Sequence, residues 1–252
     1  MRGVSSSIMT DRESVELEHA YVLHQRPYRN TSQIIECLTY NHGLVALVAQ
    51  GSRRPKSGQR AILQPFLLLQ ISWIRRGDLG RLTHVELIPP ASELSGERLL
   101  AGFYLNELLL RLMARGDANV PVFSCYSRAL ADLMIRAKTS RVLRLFELRL
   151  LEALGYGLNL GHDVETGAPI SAERCYHFIP ERGFRSESEL TNGEDYYSGR
   201  DLISLQDGTL DDDNSLRAAK RLLSTALRVY LGERPLKTRL VLRDILDRGV
   251  EL

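Results

Sequence analysis

The residues most suited to binding chemistry lie in one short segment, residues 51–60, which holds four cations among glycine, proline and serine. The cations are Arg53, Arg54, Lys56 and Arg60. Small, turn-forming neighbours leave backbone amides exposed, and a mobile basic segment of this kind can follow phosphates without reading bases. The alternative interpretation is a solvated loop whose charges serve solubility. The segment alone does not decide between the two.

Further cations occupy the other predicted turns of the same N-terminal region, while the predicted strands between them are nearly neutral. These cations are Arg26, Arg29, Arg75, Arg76 and Arg81. Tyr28, between Arg26 and Arg29, offers an aromatic face on which an unpaired base can stack. Residues 21–89 carry nine basic and three acidic residues, a net charge of +6. Clustered in turns, these charges predict a basic rim that binds a polyanion.

A second group of cations lies at helical spacing in the last fifth of the chain. The stripe, at 100° per residue, consists of Arg217, Lys220, Arg221 and Arg228, opposite a face of Ala and Leu residues. Residues 186–213, just before it, carry nine acidic residues and one arginine. The stripe is either a dock for an acidic peptide or for phosphates, or the polar face of an amphipathic helix that balances the acidic segment. Without further information the polar face is favoured.

Two other groups have the residue types of a metal site. His162, Cys175 and His177 supply three zinc ligands, whereas a structural zinc site takes four, usually in Cys-x-x-Cys pairs. Ordinary loop and strand residues are therefore the favoured interpretation of these three.

The run Asp211–Asp213 could hold magnesium for phosphoryl chemistry. It directly precedes a predicted helix, however, where acidic residues meet the positive end of the helix dipole, and we favour that role. No nucleophile motif, phosphate-binding glycine loop or dinucleotide fingerprint is present. The sequence therefore predicts no catalytic residue, no cofactor and no bound metal.

The elements that must position these residues change character at Pro89-Pro90. Before it, five short β-branched and apolar runs are separated by turns; they are residues 20–23, 32–39, 44–48, 67–74 and 82–88. Five short strands of this kind predict a small closed or partly closed barrel such as an OB-fold.

After Pro90 the apolar period becomes 3.6, which predicts helices. They run from Ser92 or Ser95 to about Arg115, onward from Pro121, and over 141–154, 199–205, 215–231 and 238–248. The helix at 141–154 is expected to end at Gly155-Tyr156-Gly157. It is apolar around most of its perimeter, so we expect it at the centre of a bundle. The predicted fold is thus α+β, with a disordered leader (1–17), an OB-fold domain that carries the basic rim (18–89), a helical domain (90–156 and 198–252) and an irregular inserted module (157–197).

Composition excludes several classes of protein. Cys37, Cys125 and Cys175 are too few and too widely spaced for a disulfide framework, and they suit a reducing cytosol. The polar N-terminus lacks the apolar region of a signal peptide. The longest apolar stretch, residues 66–74, is far shorter than the roughly 20 residues that a bilayer crossing needs. We therefore expect a cytoplasmic protein without membrane contact.

Six segments occur in an order that is known from one bacterial protein family. They are residues 20–32, the loop from Gly51 with Gln64-Pro65-Phe66, residues 104–109, residues 144–148 through Gly155-Tyr156-Gly157, residues 216–221 and residues 234–239. Together they resemble the RecO family of recombination mediators, over about residues 18–245. Each segment is weak evidence alone, but six in the right order are quite specific.

The resemblance implies an N-terminal OB-fold, a helical domain and often an inserted zinc-ribbon-like module. In zinc-bearing relatives four cysteines occupy that module; here only Cys175 does, so we expect a metal-free one. The resemblance also implies a non-enzymatic, nucleoid-associated mediator of DNA repair and homologous recombination. Such proteins bind single- and double-stranded DNA, anneal complementary strands and help to load recombinase onto DNA coated with single-strand-binding protein. The implied partners are the acidic, Phe-ended tail of that protein, RecR, possibly RecF and, indirectly, RecA.

The resemblance changes the interpretation of the C-terminal basic stripe. In the family the helical domain receives the acidic tail, so Arg217 becomes the expected main contact, supported by Lys220 and Arg221. Two alternatives to a mediator remain: a magnesium-dependent nuclease that uses Asp211–Asp213, and an RNA-associated OB-fold protein.

Overall fold

The computed structural model describes residues 13–89, 93–135, 137–187, 196–232 and 234–241, which form a mixed α+β fold, as predicted. The chain divides into a barrel unit, Met1–Glu93 with Met113–Val120, and a helical unit, Leu94–Leu112 with Pro121–Leu252. Residues 113–120, predicted in the helical domain, thus belong to the barrel unit. They do so because the Gly116 N–H donates to the Leu44 carbonyl at 3.0 Å and Arg115 pairs with Glu36 at 2.8 Å.

Five strands form a closed barrel in the order β1-β2-β3-β5-β4. They are β1 (Glu13–Tyr28), β2 (Ser32–Thr39), β3 (Gly43–Ala49), β4 (Leu68–Arg76) and β5 (Leu79–Leu87), with a short helix α1 (Gln59–Ile62) before β4. β3 and β5 pair in parallel, and the other neighbours pair antiparallel. This order and closure are consistent with the predicted OB-fold.

Alternation along the strands places one face of each inside the barrel. The fully buried core side chains include Ile35, Leu47, Leu69, Ile71 and Trp73. Gly80 faces the same interior, where a Cβ would lie 2.7 Å from Cδ2 of Leu47. Only a glycine lets β5 approach β3 this closely without moving Leu47.

β1 begins earlier than the sequence predicts. Its first residue, Glu13, pairs with Arg75 of β4, and Val15 pairs with Trp73. The prediction of a disordered leader over residues 1–17 is therefore wrong for residues 13–17, because pairing with β4 makes them part of a strand. Residues 1–12 lie outside the described part of the chain.

Several cations predicted in turns lie on strands. β1 continues to Tyr28, which pairs with Ser32, so Arg26 and Tyr28 are strand residues and the turn is reduced to residues 29–31. Arg75 and Arg76 end β4, and Arg81 belongs to β5. The physical reason is that the antiparallel ladders extend to the tips of the hairpins, which local turn signals do not reveal.

The helices of the helical unit lie close to their predicted limits. They are α2 (Gly96–Leu112), α3 (Val120–Met134), α4 (Thr139–Ala153), α5 (Gly199–Asp207) and α6 (Asp213–Leu231). Residues 237–241 are also helical, and the rest of the predicted last helix, 242–248, lies outside the described residues. α6 buries the predicted apolar face, which includes Ala219, Leu222, Leu223 and Ala226.

α4 contacts both α2 and α6, as expected for a helix at the centre of a bundle. It buries Phe146, Leu150 and Leu151, but also Arg144 and Glu147, which the apolar pattern did not indicate.

α4 ends at the predicted Gly155-Tyr156-Gly157. Gly155 has φ +83°, and its N–H donates to the backbone carbonyl of Glu152 at 3.0 Å. The N–H of Tyr156 donates to the backbone carbonyl of Leu151 at 2.8 Å. These two bonds form a Schellman motif, which requires a left-handed residue and so favours glycine.

The inserted module contains a small sheet, so the prediction of irregular structure is correct for residues 157–174 and wrong for the strands that follow them. Its strands are β6 (Cys175–Ile179), β7 (Gly183–Glu187) and β8 (Tyr196–Ser198), in the antiparallel order β7-β6-β8. Tyr176 and Phe178 of β6 are buried with Phe184 and Tyr197, and Phe178 contacts both of the latter rings. The alternation is only five residues long, too short to stand out among the surrounding turn residues.

Candidate nucleic-acid interface

The cation loop, residues 51–60, is held by its own backbone. The amides of residues 54, 57 and 60 donate to the carbonyls three residues earlier at 3.1, 2.9 and 3.2 Å. Ser52 is fully buried, and its hydroxyl donates to the Ala49 carbonyl at 2.9 Å. The four predicted cations of the loop, Arg53, Arg54, Lys56 and Arg60, are all exposed. The loop therefore combines a fixed backbone with solvent-facing charge.

The cation loop is tied to the β1–β2 turn, residues 29–31. The Arg53 N–H donates to the Thr31 carbonyl at 2.9 Å, and the Gly51 N–H donates to the Ser32 hydroxyl at 3.4 Å. In that turn the Arg29 guanidinium lies 5.2 Å from the centroid of the Tyr28 ring. Tertiary structure thus brings the cation loop and an aromatic–arginine pair together.

Arg26, Arg76 and Arg81 lie on the outer surface of the barrel and are exposed. The strand ladder joins Arg26 to Arg81 through Ile34 and Val48. Three strand spacings separate the two, about 14 Å. Arg76 is the diagonal neighbour of Arg81 on the adjacent strand, a separation of about 7–8 Å.

Arg75 does not share this outer surface. It lies on the rung of Gly80 and Leu47, which face the interior. Its guanidinium donates to the Glu13 carboxylate at 2.9 Å from Nε and at 2.6 Å from a terminal nitrogen. Because that carboxylate compensates its charge, we expect Arg75 to contribute least of the predicted cations.

The resulting distribution suits a polyanion. OB-folds commonly bind oligonucleotides on the β2–β3 face and at the β1–β2 and β4–β5 connections. Here Arg29 belongs to the first connection, Tyr28 is the last residue of β1 beside it, and Arg76 borders the second. Exposed guanidinium groups at these places can bind phosphates without any catalytic group.

On α6, all three predicted tail contacts are exposed, and one of them, Arg221, already has partners within the helical unit. Arg217 and Lys220 are exposed, and the Arg217 guanidinium donates to the Asn214 side chain at 2.5 Å. The Arg221 guanidinium donates to the Tyr196 carbonyl at 2.6 Å and lies 4.5 Å from the Tyr197 ring centroid. Arg221 therefore fastens β8 to α6, a role that the sequence did not reveal.

The acidic run before α6 has the structural role that we favoured. Asp212 is the N-cap of α6 and accepts hydrogen bonds from the amides of Asn214 and Ser215 at 2.8 and 2.9 Å. Asp213 pairs with Lys138 at 2.8 Å. The hydrogen bonds from Ser215 are the main cause of the lowered pKa of Asp212.

The three candidate zinc ligands lie in the inserted module. Cys175 and His177 occupy alternate positions of β6, and the His177 ring lies 5.1 Å from the Tyr196 ring. His162 lies in an earlier loop, where its backbone forms an isolated antiparallel β-bridge with Pro169. Among the described residues, no group of three or more His, Cys, Asp or Glu side chains is arranged to hold a metal ion.

Asp163 is a key polar residue that the sequence reasoning missed. It is buried, and its carboxylate accepts hydrogen bonds from the amides of Glu165 at 2.8 Å, Thr166 at 3.0 Å and Ser186 at 2.7 Å. Burial opposes ionisation, but these bonds outweigh it and hold the pKa of Asp163 well below its ordinary value. The available signal was an aspartate just before the Thr166-Gly167 turn, the position of an Asx turn.

A buried charged group also lies in the helical unit. Glu147 is fully buried and accepts hydrogen bonds from Arg144 and from the Tyr104 hydroxyl, both at 2.6 Å. Burial raises the pKa of Glu147, and the positive charge of Arg144 opposes that rise. No sequence signal marks this group, because its members are surrounded by ordinary helix residues.

None of the helices in the described residues combines the length and apolar character that a bilayer crossing requires.

Comparison with known proteins gives matches along nearly the whole chain. Residues 15–91 match the family model "Recombination protein O N terminal", and residues 93–240 match "Recombination protein O C terminal". The "DNA repair protein RecO" of Coxiella burnetii is 43% identical over 233 residues, which cover 92% of this chain and 98% of that protein. The protein of the same name from Nitrosococcus oceani is 44% identical over 236 residues, 93% of this chain and 96% of the relative.

A solved structure, the asparaginyl-tRNA synthetase of Entamoeba histolytica, aligns with 97% of this chain and 65% of its own. Its TM-score is 0.28 at 13% identity, so the alignment carries no argument about fold or function.

Proposed function

Because the chain belongs to the RecO family and has a role in DNA repair and recombination, we propose that it is a non-enzymatic recombination mediator. It binds single- and double-stranded DNA, anneals complementary strands and helps to load recombinase onto DNA coated with single-strand-binding protein. The barrel unit provides the DNA-binding surface, through Arg26, Tyr28, Arg29, the four cations of the cation loop, Arg76, Arg81 and, most weakly, Arg75.

The observation that supports this most is the joining of the cation loop to the β1–β2 turn. The loop that carries four exposed cations is hydrogen-bonded to the turn that carries Arg29, and residues 51–60 contain no acidic residue. Such a surface binds phosphates mainly by releasing counterions. Annealing then needs no catalytic residue, because a basic surface holds two strands together and base pairing supplies the free energy.

Salt dependence tests the DNA-binding proposal. We expect the affinity for a mixed-sequence oligonucleotide to fall steeply with salt. In the variant Arg53→Gln/Arg54→Gln/Lys56→Gln, the slope of log K against log salt should be reduced by up to about 2.7 for duplex DNA. The matched control is Arg182→Gln, an exposed cation of the helical unit. Binding that ignores both salt and the triple substitution would contradict the proposal.

On α6, the exposed cations are proposed to bind the acidic, Phe-ended tail of single-strand-binding protein. Arg217 is the main contact and Lys220 supports it; Arg221 contributes less because its guanidinium is engaged with Tyr196 and Tyr197. We expect Arg217→Ala to weaken binding of a tail peptide at least fivefold, whereas Arg200→Ala on α5 should not. Unchanged peptide affinity in Arg217→Ala would contradict the assignment. The further proposed partners are RecR, RecF in bacteria that use it and, indirectly, RecA.

A magnesium-dependent nuclease is disfavoured because Asp212 and Asp213 are used by the helix cap and by Lys138. Incubation with magnesium should leave single- and double-stranded DNA intact.

A further inference from the structure

The tip of the β1–β2 hairpin and the start of the cation loop are hydrogen-bonded to each other. Two hydrogen bonds cross between them, from Arg53 to Thr31 at 2.9 Å and from Gly51 to Ser32 at 3.4 Å. The fully buried Ser52 fixes the loop beneath these contacts. A ligand bound to the loop cations is therefore held at a set distance from Tyr28 and Arg29.

Arg29 adopts a backbone conformation that arginine rarely takes. Its φ is +53°, in the left-handed region where glycine and asparagine are the usual residues. Strain of this kind at an exposed tip is a reason to look for a functional role of the side chain. Here the guanidinium lies 5.2 Å from the Tyr28 ring centroid, close enough for a cation–π contact.

We propose that Tyr28 and Arg29 discriminate single-stranded from double-stranded DNA, while the cation loop holds the phosphates of either. An unpaired base stacks on the Tyr28 ring, and Arg29 moves from that ring to an adjacent phosphate. This inference rests on the proposed DNA-binding function and assigns strand selectivity to two residues of the same surface.

The selectivity follows from what each form of DNA exposes. Within a duplex, both faces of a base are covered by its stacked neighbours, so reaching Tyr28 costs unstacking and unpairing. A single strand offers its bases at little cost, and aromatic stacking is tolerant of sequence. Phosphates are available in both forms, so cation-loop contacts do not discriminate.

Equilibrium binding with matched oligonucleotides tests the inference. Affinities for one single strand of about 15 nucleotides and for the duplex with its complement are measured by fluorescence anisotropy at fixed salt. We expect Tyr28→Leu to weaken single-strand binding about tenfold, which is within the range for loss of one stacked base. Duplex binding should change less than twofold. Tyr28→Phe, which keeps the ring, should retain single-strand affinity within about twofold.

Two controls separate stacking from general effects. Tyr40 is 38% exposed and directly follows β2, eight residues beyond Ser32, the partner of Tyr28, which places it about 26 Å away along the strand. Tyr40→Leu should therefore leave both affinities unchanged. Arg53→Gln should weaken both forms and reduce the magnitude of each salt slope by slightly less than one.

A direct readout uses wild-type protein and a single strand that contains 2-aminopurine, whose fluorescence is quenched on stacking. Quenching that Tyr28→Phe keeps and Tyr28→Leu loses supports the inference. The inference is overturned if wild-type protein binds this strand at saturation without quenching, or if Tyr28→Leu weakens single strand and duplex equally. Failure of the wild type to bind either DNA would instead refute the proposed function.

Discussion

Replacing Asp163 by asparagine is the most informative test of what stabilises the inserted module. Asp163 is 3% exposed, and one carboxylate oxygen accepts the amides of Glu165 and Thr166, while the other accepts the amide of Ser186. Ser186 lies on β7, 23 residues further along the chain, so the carboxylate joins the turn at 163–167 to the sheet. Asparagine has one acceptor oxygen and would turn a donor toward at least one of these amides.

The cost can be estimated from these contacts. A hydrogen bond to a charged acceptor contributes about 1.5–3 kcal/mol, and a buried donor left without a partner costs about 1–3 kcal/mol. Because these two figures partly describe the same loss, we expect Asp163→Asn to lower the free energy of unfolding by about 3 kcal/mol. For a protein of this size that lowers Tm by roughly 6–12 °C.

Urea denaturation followed by circular dichroism gives this difference, and its pH dependence identifies the carboxylate. The pKa of Asp163 is lowered in the folded state, so its ionised form contributes stability above the ordinary aspartate pKa of about 3.9. As pH falls below about 4 that contribution is lost, and the wild-type and variant proteins should converge. Above about pH 5 the difference in unfolding free energy between the two proteins should be constant.

The matched control is Glu165→Gln, which removes an exposed carboxylate that lies 3.7 Å from Arg185. A surface pair of this kind contributes at most about 1 kcal/mol. An Asp163→Asn protein as stable as the wild type at pH 7 would refute the role assigned to the carboxylate. If the difference in unfolding free energy between the wild type and Asp163→Asn were as large at pH 3 as at pH 7, the stabilising role of the ionised carboxylate would be refuted.

Three further outcomes are expected. Glu147→Gln should lower the free energy of unfolding by about 3–5 kcal/mol in urea denaturation, because it leaves the buried Arg144 without its counter-charge; a cost below 1 kcal/mol would contradict this. Gly155→Ala should lower it by about 1–2 kcal/mol in the same assay, since alanine must adopt φ +83° although nothing obstructs its Cβ; no cost would argue against the left-handed cap. EDTA should leave Tm unchanged, because Cys175 is the only cysteine in the module; a fall reversed by zinc would contradict the proposed metal-free module.

Local patterns predicted most elements and the order of units. Short β-branched and apolar runs between turns marked all five barrel strands, and the 3.6 period marked the helices, because both signals depend on residues a few positions apart. Gly155 and Asp212 marked helix ends for the same reason, since their caps act within one turn. The sheet of the inserted module was missed because five-residue strands carry too little alternation to separate them from loops.

The sequence by itself determined that cations gather in the N-terminal region and along α6, and its motifs were enough to indicate the family. Tertiary structure alone decided which cations lie near one another. The Arg53 amide is bonded to the carbonyl of Thr31, two residues after Arg29, whereas Arg75 turns inward to Glu13, 62 residues away. These neighbours are set by the strand register and by the alternation of side chains between the two faces of each strand. A shift of one residue would exchange the inner and outer faces of a strand. Register depends on ladders between distant segments, so composition and spacing could place charge in the chain but not on one surface.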